Sequence, residues 1–150
     1  MTTADEENLA ILLYEQRRLV EMMESLYAEI SILQRSLLEY NSALEILNMY
    51  KSCEKGREFD TLLPIGGQVY LPVKMSVPNA ILVGIGIGIF VKKSIESSIN
   101  YLMESIKEIT NALNERINVL NQLKNKYEEI TSAIIELQFK LRERREAKSH

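Results

Sequence analysis

All six glycines and all three prolines of this 150-residue chain lie between Gly56 and Gly88. Both residues disfavour the interior of a helix, Gly through backbone entropy and Pro through its missing N–H and ring clash. Residues 1–55 and 94–150 are therefore free to form uninterrupted helices, and the central stretch 56–93 must do something else.

The first flank has the pattern of a coiled-coil helix. With heptad position a at Leu9, the seam reads Leu9, Leu12, Gln16, Leu19, Met23, Leu26, Ile30, Leu33, Leu37, Tyr40, Leu44 and Leu47, apolar at every position except Gln16. Such a run over more than five heptads specifies a seam rather than a broad amphipathic face. Thr2 or Thr3 is placed to cap the helix, and Asp5, Glu6 and Glu7 follow where the macrodipole favours negative charge. Gly56 is the expected stop. Gln16 has two readings: a polar group that sets register, or a hydrated one near the free end. At about 1.5 Å per residue the arm is expected to be on the order of 75 Å long.

The second flank repeats the plan. Ser94 is the expected N-cap, and the seam runs Ile95, Ile99, Leu102, Ile106, Ile109, Leu113, Arg116, Leu120, Leu123, Tyr127, Ile130, Ile134, Leu137, Leu141 and Arg144, with only the two arginines polar. A compact connection between two such arms favours antiparallel folding back, with Leu9 and Leu12 near Ile134 to Leu141 and both termini at one tip. Arms that separate and join other chains share the same periodicity.

The middle reads as two β-hairpins. Phe59–Ile65 and Gln68–Met75 flank Gly66-Gly67, and Ile81–Ile85 and Ile89–Lys92 flank Gly86-Ile87-Gly88. Pro64 and Pro72 donate no backbone hydrogen bond, so each belongs at an edge, a strand end or a bulge. Nearly every residue of the second hairpin is apolar or glycine, so neither face suits water, and other chains are expected to cover it. The run Gly84-Ile85-Gly86-Ile87-Gly88 lacks the spacing of a phosphate-binding loop, and its glycines are expected to serve the turn. The fold class is thus α+β: a long antiparallel two-helix coiled coil whose N-terminal helix (1–55) and C-terminal helix (94–150) are joined by a hairpin region (56–93) that oligomerises.

Chemistry is sparse. The one histidine is His150 and the one cysteine Cys53, which leaves no zinc cluster, Cys-His pair or Ser-His-Asp triad. Acidic and basic residues alternate on helix faces, as in Glu15/Arg18 and Glu104/Lys107, where they support helices by a few tenths of a kcal/mol. No enzyme activity and no cofactor are expected. Cys53 reads as a small apolar residue near a helix end and fits a reducing cytosol. Thr2 to Asn8 lacks the basic start and apolar run of a secretory signal. The longest uncharged apolar run, Ala80 to Val91, is 12 residues, short of the roughly 20 that span a bilayer. The net charge of −3, from 18 basic and 21 acidic residues, predicts neither nucleic acid nor an anionic membrane as partner. Off-seam apolar residues Ile11, Leu13, Ile135 and Phe139 near the tip admit two readings, a small sticky surface or ordinary scattered exposure.

The order coil, LLPIGGQVYLPVKM (Leu62–Met75), linker, ILVGIGIGIFVKKSIESSINYL (Ile81–Leu102) and second coil resembles the alpha-type subunits of the prefoldin family, particularly the archaeal form. The resemblance covers essentially the whole chain and is most specific at Leu62–Gly67 and Val83–Lys93. Two hairpins favour the alpha type, since the beta type has one. It implies a cytoplasmic, ATP-independent molecular chaperone. Two alpha and four beta subunits would assemble through their hairpins into a β-barrel platform carrying six coiled coils, hold unfolded proteins near the tips, and pass them to a group II chaperonin. On that reading Leu63, Ile65, Val69, Leu71, Ile81, Val83, Ile85, Ile89 and Val91 are candidates for the assembly surface, and Ile11, Leu13, Ile135 and Phe139 for client binding. A coiled-coil scaffold that oligomerises through its hairpins and holds folded partners is the alternative.

Overall fold

The structure, a computed structural model, describes residues 4–54 and 56–148. Two long helices, α1 (Ala4–Ser52) and α2 (Ile95–Lys148), enclose four strands in sequence: β1 (Glu58–Gly66), β2 (Val69–Ser76), β3 (Ile81–Gly86) and β4 (Ile89–Lys93). The strands form two separate antiparallel hairpins, β1–β2 and β3–β4. The chain divides into two compact units, one made of its two ends up to Arg35 and from Thr110, the other of Ser36–Ile109.

In the first unit the helices run antiparallel. Leu19, Ile130 and Ile134 are buried together, with Leu9, Leu12, Leu123 and Tyr127 packed around them. Ion pairs join Asp5 to Arg144 and Glu6 to Arg145 (3.3 Å) near the chain ends, and Glu29 to Arg116 (2.6 Å) further in, as an antiparallel pair requires. Arg116 and Arg144, the two polar positions of the second seam, lie at its exposed margin and reach across it. These pairs are solvated, and each contributes about 0–1 kcal/mol. Gln16 is half-buried, and its side-chain nitrogen donates to Thr131 Oγ1 at 2.8 Å. Thr131 Oγ1 in turn donates to the Tyr127 carbonyl at 2.7 Å. The polar seam position thus has a protein partner, which favours the register-setting reading.

The second unit holds the hairpins. Leu47, Tyr50, Val77 and Ile99 are buried in one cluster, and Cys53, Phe59, Met75 and Ile81 pack against it. Phe59 stacks obliquely on Tyr50, centroids 5.6 Å apart. The start of β1, the end of β2 and the start of β3 are therefore anchored to the helix pair by aromatic and aliphatic contact. Cys53 lies half-buried near the end of α1, as expected. Ser94 caps α2: its Oγ accepts from the Ser97 amide at 3.1 Å, and Ser98, wholly buried, donates its hydroxyl to the Ser94 carbonyl at 2.8 Å.

Three local expectations are corrected. The first helix ends at Ser52, before Gly56; the Ser52 hydroxyl donates to the Met49 carbonyl and the Cys53 amide to the Tyr50 carbonyl, satisfying the last turn without glycine. Gly56, at φ +82°, serves the following turn, in which the Arg57 amide donates to the Glu54 carbonyl. The first hairpin turns through Gly67-Gln68 (φ +57° and +62°), one residue later than expected, and the second through Ile87-Gly88 (φ +51° and +71°), within the expected Gly86-Ile87-Gly88. Gly66 (φ +103°) and Gly86 (φ +110°) are taken up by bulges where the register shifts. A two-residue turn with both central residues at positive φ matches the right-handed twist of the strands, and the bulge absorbs the extra residue. Expected caps Thr2 and Thr3, and His150, lie outside the described residues.

Candidate functional site

The hairpins expose what a folded chain ordinarily hides. Leu63 and Leu71 stand directly opposite one another in the β1–β2 ladder, as do Val83 and Val91 in β3–β4. Of the nine candidate assembly residues, Leu63, Ile65, Val69, Leu71, Ile85, Ile89 and Val91 are exposed. Ile81 and Val83 are half-buried, and Ile81 packs into the chain's own core. Strand period two explains the rest of the surface. Leu62, Tyr70, Leu82 and Phe90 occupy the opposite pleat positions and are exposed too, with Leu82 at 68% and Phe90 at 66%. Sequence reasoning named one face of each hairpin; the signal for the second face was present in the unbroken apolar run of the β3–β4 segment. Both faces of both hairpins carry exposed apolar side chains, an arrangement that costs free energy in water unless another chain buries them.

A groove of about 340 Å³ lies beside this surface, walled by Tyr40, Ile46, Leu47 and Leu102 from the helices and by Ile81, Leu82, Val83 and Gly84 from β3. The Tyr101 hydroxyl approaches the Gly84 carbonyl oxygen at 3.4 Å, and Lys93 Nζ sits 5.4 Å from the centre of the Tyr101 ring.

The candidate client residues belong to the first unit and are all exposed: Ile11 57%, Leu13 43%, Ile135 61% and Phe139 62%. They do not form one patch. Ile11 and Leu13 are two residues apart on α1 and point to different sides of the helix, whereas Ile135 and Phe139 are neighbours at i, i+4 on α2. Ile11 instead lines a shallow groove with Leu12, Ala133, Leu137 and the stem of Lys140. Tyr14, 67% exposed, is a further aromatic on this part of α1 that the seam analysis passed over. Among the described residues no group of His, Cys, Asp and Glu is arranged to hold a metal ion, and no helix is long and apolar enough to cross a membrane.

Comparison with known proteins agrees with this architecture. The family model described as prefoldin subunit matches residues 19–140. The chain is 38% identical over 97 residues to a prefoldin subunit alpha of Nitrosopumilus maritimus, covering 64% of this chain and 67% of that one. It is 31% identical over 116 residues to a prefoldin subunit alpha of Thermofilum pendens, covering 77% and 88% respectively. The fold is similar to that of a filamentous PFD from Methanocaldococcus jannaschii, with a TM-score of 0.62 and 21% identity over 78% of this chain and 95% of that one. Two long helices joined by a pair of apolar hairpins, together with the match over most of the chain, place it: the chain belongs to the prefoldin family, among its alpha-type subunits.

Proposed function

We propose that this chain is a subunit of an ATP-independent holding chaperone. It would join beta-type subunits, two alpha to four beta, through its hairpins, bind unfolded proteins near the chain ends of its helices, and deliver them to a group II chaperonin. A chaperone-type function follows from family membership; the remaining steps are our reading. The observation that carries it is the double-sided apolar exposure of both hairpins, which a chain working alone would have no reason to keep. The client-binding part rests on Ile11, Leu13, Ile135 and Phe139, exposed on both helices near the ends of the chain. Each gives a weak contact, and several arms in one assembly gain strength by multivalency while still releasing without nucleotide hydrolysis.

The test is suppression of aggregation of a chemically denatured protein by the assembled complex. Replacing Ile11, Leu13, Ile135 and Phe139 together with Ser is expected to reduce holding several-fold while leaving helix content and assembly intact. Undiminished holding removes these residues from client binding. A complex that ignores denatured proteins altogether yet binds a folded partner identifies a scaffold instead.

A further inference from the structure

The seam of the helix pair changes character at its last rung. Counting back from Leu9, the next inward heptad position of α1 is Asp5, and beyond Leu141 the next inward position of α2 is Arg144. The structure joins these two: the Arg144 guanidinium donates to the Asp5 carboxylate, and Arg145 beside it donates to Glu6 at 3.3 Å. A coiled coil ordinarily closes such a rung by burying apolar side chains. Here an ion pair stands in their place. From Ala4 to Asn8 and from Arg142 to Lys148 the sequence offers no apolar side chain larger than alanine.

The packing beneath this rung is shallow. Leu9 and Leu141, the outermost apolar seam residues, are only half-buried, and with Gln138, Arg142 and Arg145 they line a hollow of about 240 Å³. The buried cluster of Leu19, Ile130 and Ile134 lies further along the seam. Helix ends open locally at a free-energy cost near zero unless packing holds them. With so little apolar area at this end, its closed form depends on the two ion pairs. Both arginines are exposed, so salt screens the pairs.

We propose that Asp5 with Arg144 and Glu6 with Arg145 form an ionic clasp, which holds the chain ends of the helix pair shut and releases them as ionic strength rises, uncovering Leu9 and Leu141. This rests on the reading that unfolded proteins bind near the chain ends, and adds a control on how much apolar surface that site offers. Closed, the site shows Ile11, Leu13, Ile135 and Phe139. Open, it adds the two outermost seam leucines. The same charges also suit the helices that carry them, acidic side chains in the first turn of α1 and basic ones near the end of α2. Exchanging the two signs separates these roles, because it remakes the pair while opposing both helix dipoles.

The measurement is a distance across the chain ends by pulsed electron spin resonance. The full chain carries nitroxide labels at the exposed positions Ala10 and Gln138, with Cys53→Ser. A narrow distance is expected at about 0.01 M salt, where charges act over about 30 Å, and a broad, longer one at about 1 M, where they act over about 3 Å. Asp5→Arg, which sets like charges together, is expected to raise the open fraction on the order of 10-fold at low salt. Asp5→Arg combined with Arg144→Asp is expected to restore the narrow distance. In suppression of aggregation at low salt, the assembled complex carrying Asp5→Arg is expected to hold about twofold more denatured protein, in line with its added apolar area. A distance that ignores both salt and Asp5→Arg overturns the clasp and leaves client binding by the four exposed residues standing. An exchanged pair that stays open overturns it as well, since the charges then act on their own helices alone. Opening without a gain in holding overturns the control if the four-serine variant still loses holding. If that variant also holds undiminished, client binding near the chain ends falls with it.

Discussion

The side-chain nitrogen of Gln16 donates to Thr131 Oγ1 at 2.8 Å across the antiparallel helix pair, 115 residues apart in the chain. It is a polar link in a row that is otherwise apolar on the α1 side. Polar seam residues fix register at some cost in stability, because burying an amide gains less than burying a leucine. Replacing both residues, Gln16→Leu with Thr131→Val, is expected to raise the thermal midpoint of the helix pair, with a gain of about 1 kcal/mol. Circular dichroism during heating reads this directly; a fall in the midpoint contradicts the cost assigned to the pair.

Leu47 is buried against Tyr50, Val77 and Ile99, where the hairpins meet the helices. Leu47→Ala removes buried methyl groups from the cluster that anchors the strand ends, and is expected to cost about 2–4 kcal/mol in urea unfolding. Loss of protection from hydrogen exchange should be greatest in β1, β2 and β3, which pack there through Phe59, Met75 and Ile81 near their ends.

Ser94 accepts the Ser97 amide through its side chain at the start of α2. Ser94→Ala leaves that donor without its cap and is expected to lower stability by about 1 kcal/mol, while Ser94→Asp, which also accepts, retains it. Equilibrium urea denaturation of the two variants separates a cap from a merely tolerated surface residue.

Ile87 occupies a turn position with φ +51° and is fully exposed. A β-branched residue there is strained by about 1–2 kcal/mol, and Asn is a natural occupant of such a turn ahead of glycine. Ile87→Asn is expected to stabilise the β3–β4 hairpin by about 1 kcal/mol, measured by hydrogen exchange of its strand amides. Unchanged exchange shows that the turn relaxes the strain in some other way.

Most of the architecture was legible because it rests on periodicities that local sequence states outright. The heptads of both flanks mark the inward positions correctly: every one of the twelve α1 seam residues is buried or half-buried, and in α2 only Arg116 and Arg144 are exposed. Ser94 was legible as a cap for the same local reason. The turn positions were not, since Gly66-Gly67 and Gly86-Ile87-Gly88 each allow a turn at more than one place. The choice between them depends on how strand twist and a bulge combine over the whole hairpin. The apolar surface was half legible: one pleat face of each hairpin was named, and Leu62, Tyr70, Leu82 and Phe90 on the other became evident from exposure.

The sequence by itself determined two helices, two hairpins and the family, because helix breakers and heptads act over a few residues and need no tertiary context. Tertiary structure alone decided how the parts meet. It paired Gln16 with Thr131 and Glu29 with Arg116, and it anchored the strands on Leu47, Tyr50, Val77 and Ile99. It also set Ile11 beside Ala133 and Leu137 in a shallow groove, and opened a groove along β3. The physical reason is that each of these facts joins residues distant in the chain, and no local propensity records which distant side chains a folded backbone will bring within reach.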